Sequence, residues 1–230
     1  MKLPPVIQLR QDDTHRLVPS KYALEEQNAL ARLVDEDSEL SLLSQFERST
    51  DGRVLGESGL LPGIGIHELV FGVSYAHIVN AAFTYAHPGG SRFNGSERGA
   101  WYAAFRLETA QAEVAFHRGR ELQEIKWPHL EEFEYVEYLA DFRAEFHDIR
   151  NRSEFRECLS PDTYAGSQRL ARILLEQGSV GIVYPSVREK THGNCISCFR
   201  PALVINVRKG VSLTVTFENA SASPLFISHS

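Results

Sequence analysis

The chain has 230 residues, of which 43% are hydrophobic and 23% charged, as in ordinary globular proteins. Its 13 Phe, 8 Tyr and 2 Trp supply core material that disordered chains lack. The net charge of −6, from 24 basic and 30 acidic residues, argues against nucleic acid as the main ligand. Three cysteines, an odd number, argue against a disulfide framework.

The N-terminus and the best apolar stretch indicate neither export nor membrane insertion. The first 15 residues, MKLPPVIQLRQDDTH, have prolines and charges where a signal peptide has its apolar run. The stretch Leu60–Val73 is interrupted by Pro62, three glycines, His67 and Glu68, and it is far shorter than the ~20 apolar residues of a membrane span. We therefore expect a cytoplasmic protein without membrane contact.

The first part of the chain, residues 1–60, reads as a helical extension. Good helix formers run over Lys21–Val34, and a second short helical stretch covers Leu40–Phe46 after an acidic segment. We interpret this extension as a helical cap or a partner-facing arm. Residues 61–230 are predicted to form the main domain.

The main domain alternates strand and helix patterns. Helices are predicted over Glu108–Arg118 and from an N-cap at Ser160, with Pro161 at the first helical position, to Gln177. More strands than crossover helices are predicted, which favours an α+β fold over a doubly wound sheet. The strand candidates are Ala100–Phe105, Phe133–Leu139, Val180–Tyr184, Ala202–Val207 and Val211–Phe217.

Glu113 is the most informative single residue. On a helical wheel it falls between the arc of Ala110, Val114 and His117 and the position of Phe116. A carboxylate on an apolar helix face is costly unless it is partnered or used. The wheel leaves two interpretations open: a functional carboxylate, or an edge residue paired with His117 four positions on.

Two loops carry further polar candidates. The segment Pro88–Gly95 places three glycines around Arg92, a combination suited to close approach and bidentate contact with phosphate or carboxylate. Ser186 follows a predicted buried strand directly, where ligand contacts are common. An ordinary surface loop and an ordinary turn serine remain the alternatives.

Two other motifs are weaker. The C-x-x-C of Cys195 and Cys198, together with His192 and Cys158, could supply four zinc ligands. We prefer the interpretation that the two cysteines of the motif lie within a strand. No metal site is therefore predicted. Gly72-Val73-Ser74-Tyr75-Ala76 imitates a nucleophile elbow without its last glycine.

Several separated segments together resemble the RES-domain family, named for an Arg, a Glu and a Ser. The resemblance covers roughly residues 70 to 210, in the same order and spacing. It rests on Gly90-Ser91-Arg92-Phe93-Asn94, Gly99-Ala100-Trp101-Tyr102-Ala103-Ala104, Glu108-Thr109-Ala110-Gln111-Ala112-Glu113-Val114, Gly181-Ile182-Val183-Tyr184-Pro185-Ser186-Val187-Arg188 and Phe199-Arg200-Pro201.

The resemblance implies an ADP-ribosyltransferase-like split β-sheet and chemistry on NAD as a substrate, without a metal. Family members are typically toxins of bacterial toxin–antitoxin pairs, held inactive by an Xre-like antitoxin. Some degrade NAD with water or phosphate, and others transfer ADP-ribose to a protein. One branch, close to the wording RFNGSERGAWYAAF, is associated with modification of phosphoribosyl pyrophosphate synthetase.

The resemblance also implies roles for particular residues. Glu113 would stabilise the oxocarbenium charge on the ribose or hold its 2′-hydroxyl. Arg92 would hold a phosphate of NAD through its planar fork, and Tyr102 would stack on the nicotinamide. Ser186 would bond to the nicotinamide ribose or carboxamide. The secondary candidates for binding NAD are Asn94, His117 and Arg188.

The stretch Phe71–Phe83 departs from the family pattern. Family members often have an Arg in an early strand here, and this stretch contains none, so His77 is its most plausible ligand group. A core histidine is the alternative interpretation of His77.

Two other functions remain open from the sequence. The first is a non-catalytic interaction module that binds a regulatory partner through its N-terminal helices. The second is a serine hydrolase that uses Ser186 or Ser74, although no His and acid are placed with either serine by sequence.

Overall fold

The computed structural model describes residues 2–23, 63–189, 191, 193–219 and 223–229. Four α-helices are described: α1 Ser20–Ala23, α2 Ala76–Thr84, α3 Leu107–Glu124 and α4 Ala165–Glu176. The strands are β1 Val6–Pro19, β2 Trp101–Ala104, β3 Glu131–Asp148, β4 Gly181–Pro185, β5 Asn194–Cys198, β6 Ile205–Phe217 and β7 Leu225–His229. None of these helices is long and apolar enough to cross a membrane.

The seven strands form one sheet in the order β1-β2-β5-β4-β3-β6-β7. The β3–β4 pair is parallel and the other pairs are antiparallel. β1 also pairs with β3, so the pairings β1-β2-β5-β4-β3-β1 close a ring. The 18-residue β3 makes this closure because it contacts β1, β4 and β6 along its length. The mixed α+β class expected from the sequence is confirmed.

The two faces of the sheet are covered by different helices. Period-two alternation along β2 sends Trp101 to one face and Tyr102 to the other. The Trp101 face packs against Val79 and Phe83 of α2. The Tyr102 face packs against the first turn of α3 and against Leu170 and Leu174 of α4. All the candidate residues considered below, except His77, come from the elements of the Tyr102 face.

The N-terminal residues differ from the expected helical extension. Val6–Pro19 forms a strand that pairs with β3 along most of its length, as its alternating exposed and buried positions allow. The helix expected from Lys21 begins at Ser20, but its predicted continuation and the helix over Leu40–Phe46 lie outside the described residues. The division of the chain at residue 60 therefore stays a prediction.

Other element boundaries also differ. The helix expected from Ser160 begins only at Ala165, because the Ser160 hydroxyl accepts the backbone N–H groups of Asp162 and Thr163 and forms a separate turn. The two strands expected over 202–207 and 211–217 are one strand, β6, preceded by a 3₁₀ turn at Pro201–Leu203. The strand β7 was not anticipated.

Candidate active site

Three segments converge on the Tyr102 face of the sheet. Glu113 lies on the second turn of α3, which is anchored by the buried Thr109 and Ala110. Ser186 follows β4 immediately, so the buried strand fixes its position. Arg92 lies in the glycine-rich loop, where Phe93 packs on Tyr184 of β4 with ring centroids 4.8 Å apart.

Glu113 and Ser186 form a direct hydrogen bond. The hydroxyl of Ser186 donates to Oε1 of Glu113 at 2.6 Å. The same hydroxyl oxygen accepts the backbone N–H groups of Arg188 at 3.1 Å and Glu189 at 3.2 Å. These two donors occupy the oxygen's lone pairs, so the single hydroxyl proton is directed at the carboxylate.

The charge state of Glu113 reflects two opposing effects. Burial disfavours the carboxylate and raises the pKa of Glu113. The hydrogen bond from Ser186 and the positive charges of Arg92 and Arg188 act in the opposite direction, but the pKa stays above its ordinary value. A partly buried carboxylate with a perturbed pKa and two nearby cations is typical of a functional site.

Arg92 is buried and its guanidinium is held by the protein. Nη1 donates to the backbone carbonyl oxygens of Cys158 at 3.2 Å and Ser160 at 2.9 Å. The guanidinium carbon lies 4.9 Å from the centre of the Tyr164 ring. These contacts fix the guanidinium plane, so a ligand meets an oriented cation rather than a mobile one.

The loop that carries Arg92 depends on Gly90. Gly90 has φ of +70°, and a Cβ there would lie 2.3 Å from the carbonyl oxygen of Asn94. The side chain of Gln168 on α4 donates to the carbonyl oxygens of Gly89 at 2.9 Å and Ser91 at 3.1 Å. The glycine therefore allows a tight turn that α4 then holds in place.

Tyr102 and Asn94 brace the same loop. The Tyr102 hydroxyl donates to Oδ1 of Asn94 at 2.7 Å and accepts the N–H of Phe93 at 2.8 Å. Nδ2 of Asn94 donates to the carbonyl oxygens of Gly95 at 2.7 Å and Arg98 at 3.0 Å. The Asn94 amide is thus engaged by the protein itself. We infer that Asn94 positions the loop, whereas the sequence predicted a ligand contact.

Arg188 lies on the outer side of the Glu113–Ser186 pair. Its guanidinium carbon is 3.4 Å from the centre of the Phe116 ring, and Nη2 donates to the carbonyl oxygen of Pro161 at 2.7 Å. Its Nε is buried and has no hydrogen-bond partner in the part of the chain that the structure describes. An unsatisfied buried donor of this kind indicates a site for an anionic or polar ligand.

His117 does not form the expected alternative pair with Glu113. The Glu113 carboxylate bonds to Ser186, and the structure gives no ion pair between Glu113 and His117 among the described residues. His117 is exposed as a residue, yet desolvation of its ring and the charge of Arg188 lower the pKa of His117. It is thus neutral over a wider pH range than a free histidine.

His77 lies on a different element from the other candidates. The stretch Phe71–Phe83 contains a helix, α2, where the family comparison led us to expect a strand. The buried side chains of α2 pack on the Trp101 face of the sheet, whereas Glu113 and Ser186 belong to the Tyr102 face. The assignment of His77 as a ligand of NAD therefore stays a prediction.

Two residues that lie close to Glu113 were not predicted from the sequence. Tyr184 and Cys195 are buried beside Glu113 on adjacent strands. Burial first, and then the negative charge of Glu113, raises the pKa of the Cys195 thiol well above its ordinary value, so that thiol stays neutral. Strand alternation identifies Tyr184 as buried, but nothing in the sequence shows that it lies next to a helix 70 residues earlier.

Glu189 is a third residue that the sequence did not reveal. Its carboxylate accepts a hydrogen bond from the hydroxyl of Thr109 and pairs with Arg106, both at the start of α3. It also accepts the hydroxyl of Thr191. Glu189 therefore ties the loop that carries Ser186 and Arg188 to the helix that carries Glu113.

The C-x-x-C motif does not act as a unit. Cys195 and Cys198 are both buried, but they belong to opposite faces of β5. Cys158 lies with Cys195, and His192 is outside the described residues. This arrangement agrees with the interpretation of two cysteines within a strand.

The comparison with family models tests the family membership that the motifs suggested. The model of the RES domain matches residues 67–218, more than half of the chain. The chain belongs to the RES-domain family. The resemblance predicted from the separated motifs is confirmed, and Arg92, Glu113 and Ser186 all lie within the matched RES domain. No curated protein matches the chain in sequence.

The comparison with solved structures matches three chains, of which one is described here. It comes from the crystal structure of the M. tuberculosis MbcT–MbcA toxin–antitoxin complex, with 9% sequence identity and a TM-score of 0.48. The similarity covers 91% of this chain and 86% of that chain.

Proposed function

We propose that this RES-domain protein cleaves the bond between nicotinamide and ribose in NAD. The observation that carries the proposal is the partly buried Glu113 carboxylate, hydrogen-bonded by Ser186 and close to the cations Arg92 and Arg188. The family resemblance supplies NAD as the substrate class. The geometry supplies a negative group at which positive charge can be stabilised, beside two groups that can bind phosphate.

The chemistry follows from the charges. When the glycosidic bond breaks, its electron pair leaves with the positively charged nicotinamide nitrogen, which becomes neutral. Positive oxocarbenium charge then develops on the ribose, and an ionised Glu113 stabilises it or holds the 2′-hydroxyl. The Ser186 hydrogen bond and the two arginines favour that ionised form against the cost of burial.

The remaining residues bind and orient the substrate. Arg92, with its plane fixed by two carbonyl oxygens, would face a phosphate of NAD, and Arg188 would do so from the other side. The Tyr102 hydroxyl is already engaged within the loop, so its ring is the part that would stack on nicotinamide. When NAD binds, the Ser186 hydroxyl would also hydrogen-bond to the ribose or the carboxamide, and its bond to Glu113 would weaken.

The acceptor and the biological role complete the proposal. Released ADP-ribose would pass to a protein, to water or to phosphate, and phosphoribosyl pyrophosphate synthetase is one candidate protein target. We propose that the protein is a toxin restrained by an Xre-like antitoxin in the cytoplasm, as the family resemblance implies. From the same resemblance we infer that the sheet corresponds to an ADP-ribosyltransferase-like split sheet.

The test is nicotinamide release. The purified protein is incubated with NAD alone, with phosphate and with cell extract, and free nicotinamide and labelled protein are measured. We expect release in at least one condition, and its loss in Glu113→Gln but not in Ser74→Ala, a change at an exposed serine. No release under any condition would refute the enzyme proposal. Undiminished toxicity of Glu113→Gln in cells would instead favour the non-catalytic interaction module.

A further inference from the structure

A cleft with a volume of about 530 Å³ lies along α3, beyond the Glu113–Ser186 pair. Its size falls within the range of about 300–1,000 Å³ that is usual for small-molecule sites. Two of its lining residues, Phe116 and Pro161, also contact the guanidinium of Arg188. The cleft and the candidate active site are therefore neighbours that share Arg188 as their boundary.

The order of residues along α3 shows how the candidate active site and the cleft are connected. Glu113 and Phe116 are three residues apart and thus share one face of α3. Gly119, which also lines the cleft, is six residues from Glu113, a rise of about 9 Å along the helix axis. The diphosphate bridge between two ribosides can cover such a distance. A dinucleotide held at Glu113 would extend past Arg188 into the cleft.

The residues that line the cleft suit a flat aromatic ring. The small residues Ala115 and Gly119 are four positions apart and share one helix face, and the aromatic residues Phe116 and Phe217 line the same cleft. A Cβ added at Gly119 would lie 3.5 Å from the Phe217 ring, an ordinary contact distance. Asp162 at the rim offers a carboxylate that can accept a hydrogen bond from an amino group.

We propose that this cleft binds the adenine base of NAD, with its exocyclic amino group at Asp162 and the diphosphate at Arg188. This inference rests on the proposed function. The buried Nε of Arg188, which has no partner among the described residues, supplies an independent sign of a ligand at the boundary. The binding energy of the adenosine half would then hold the nicotinamide riboside at Glu113.

The first experiment compares NAD with nicotinamide mononucleotide, which carries the same scissile bond but lacks the adenosine half. In Gly119→Leu, which fills the cleft, we expect KM for NAD to rise at least tenfold while kcat/KM for the mononucleotide changes less than twofold. Gly119→Ala, which adds one methyl group without a clash, should give a smaller rise. Glu121→Leu places the same side chain at an exposed position of α3 and should leave both substrates unchanged.

The second experiment reads the cleft without catalysis. Calorimetric titration with AMP should show binding to the wild type and to Glu113→Gln, and its loss in Gly119→Leu. Asp162 is an exposed loop residue, so Asp162→Ala removes no core packing. This variant should raise KM for NAD but not for the hypoxanthine analogue of NAD, which lacks the amino group.

The outcomes separate the two proposals. Unchanged KM for NAD and retained AMP binding in a folded Gly119→Leu would overturn the adenine assignment. Equal effects of Asp162→Ala on NAD and on its hypoxanthine analogue would overturn the part assigned to Asp162. Absence of nicotinamide release from both substrates would refute the proposed reaction, and the AMP titration then decides the cleft by itself.

Discussion

The hydroxyl of Ser186 donates a 2.6 Å hydrogen bond to the carboxylate of Glu113, across 73 residues of sequence. One partner is at the end of a buried strand and the other on a helix packed over the sheet. The helix and the strand are both fixed by core packing, so the bond is preorganised rather than formed on substrate binding. We propose that these residues are the Glu and the Ser after which, with an Arg, the RES family is named.

Removing the Ser186 hydroxyl should shift the pH dependence of the reaction. The hydrogen bond lowers the pKa of Glu113 against the effect of burial, so Ser186→Ala should raise that pKa further. If the ionised carboxylate is needed, the acidic limb of the kcat/KM profile moves to higher pH, and activity at neutral pH falls about tenfold or more. Ser74→Ala is the control, and an acidic limb that stays in place would argue against an ionised Glu113.

Neutralising Glu113 should separate stability from activity. Its pKa is raised in the folded protein, so ionising it costs folding free energy once the pH exceeds the pKa of the unfolded chain. Glu113→Gln should therefore abolish nicotinamide release yet stabilise the fold by about 1 kcal/mol at neutral pH.

The pH dependence of that gain provides the check. Below the pKa of the unfolded chain, Glu113 is protonated in both states, so the advantage of Gln should disappear there. Denaturant unfolding of both proteins at neutral and acidic pH measures the difference. An equal gain at both values would show that packing, not charge, causes it, and retained turnover would remove Glu113 from the mechanism.

Replacing Arg92 with lysine should be damaging although the charge is kept. A lysine ammonium cannot reproduce a planar group that bonds two carbonyl oxygens and packs over Tyr164. We expect Arg92→Lys to lower the stability by about 1–3 kcal/mol, since buried carbonyl oxygens lose partners, and to raise KM for NAD at least tenfold. Arg172→Lys, on an exposed position of α4, should change neither quantity. Wild-type KM in Arg92→Lys would show that its charge alone suffices.

The sequence predicted the candidate site residues better than the contacts that bring them together. Helix periodicity placed Glu113 correctly near the inward face of α3, because residues on one helix share a local geometry. The motifs identified Arg92 and Ser186 for the same reason: each belongs to a short segment with its own pattern. Their convergence comes from pairing between distant strands, which no local pattern reveals.

The differences between the sequence predictions and the structure have the same origin, because they depend on contacts between segments that are distant in sequence. β1 lies in the segment that was expected to be a helical extension, and its pairing with the distant strand β3 shows that these residues form a strand. His77 was assigned by position in a family pattern, whereas the local sequence forms a helix on the opposite face of the sheet. Glu189 is visible only when the loop after β4 folds back to the start of α3.

Glu189 should act as a positioning residue. It accepts hydrogen bonds from Thr109 and Thr191 and pairs with Arg106, so Glu189→Gln weakens the attachment of the Ser186 loop to α3. We expect kcat to fall about tenfold with the acidic limb shifted to higher pH, because the Ser186–Glu113 bond loosens. Glu157→Gln, which removes an exposed pair with Arg169, is the control. A lowered Tm with an unchanged pH profile would reduce Glu189 to a structural role.

Tyr102 offers a way to separate the hydroxyl from the ring. Tyr102→Phe leaves the Phe93 N–H and the side-chain oxygen Oδ1 of Asn94 without their partner, which should cost about 1–3 kcal/mol of stability. If the ring stacks on nicotinamide, the Phe variant keeps most of its turnover at a temperature where it is folded. Tyr102→Leu loses both groups, and its kcat/KM should fall at least tenfold below that of the Phe variant. Equal activities of the two variants would show that the ring does not contact the substrate.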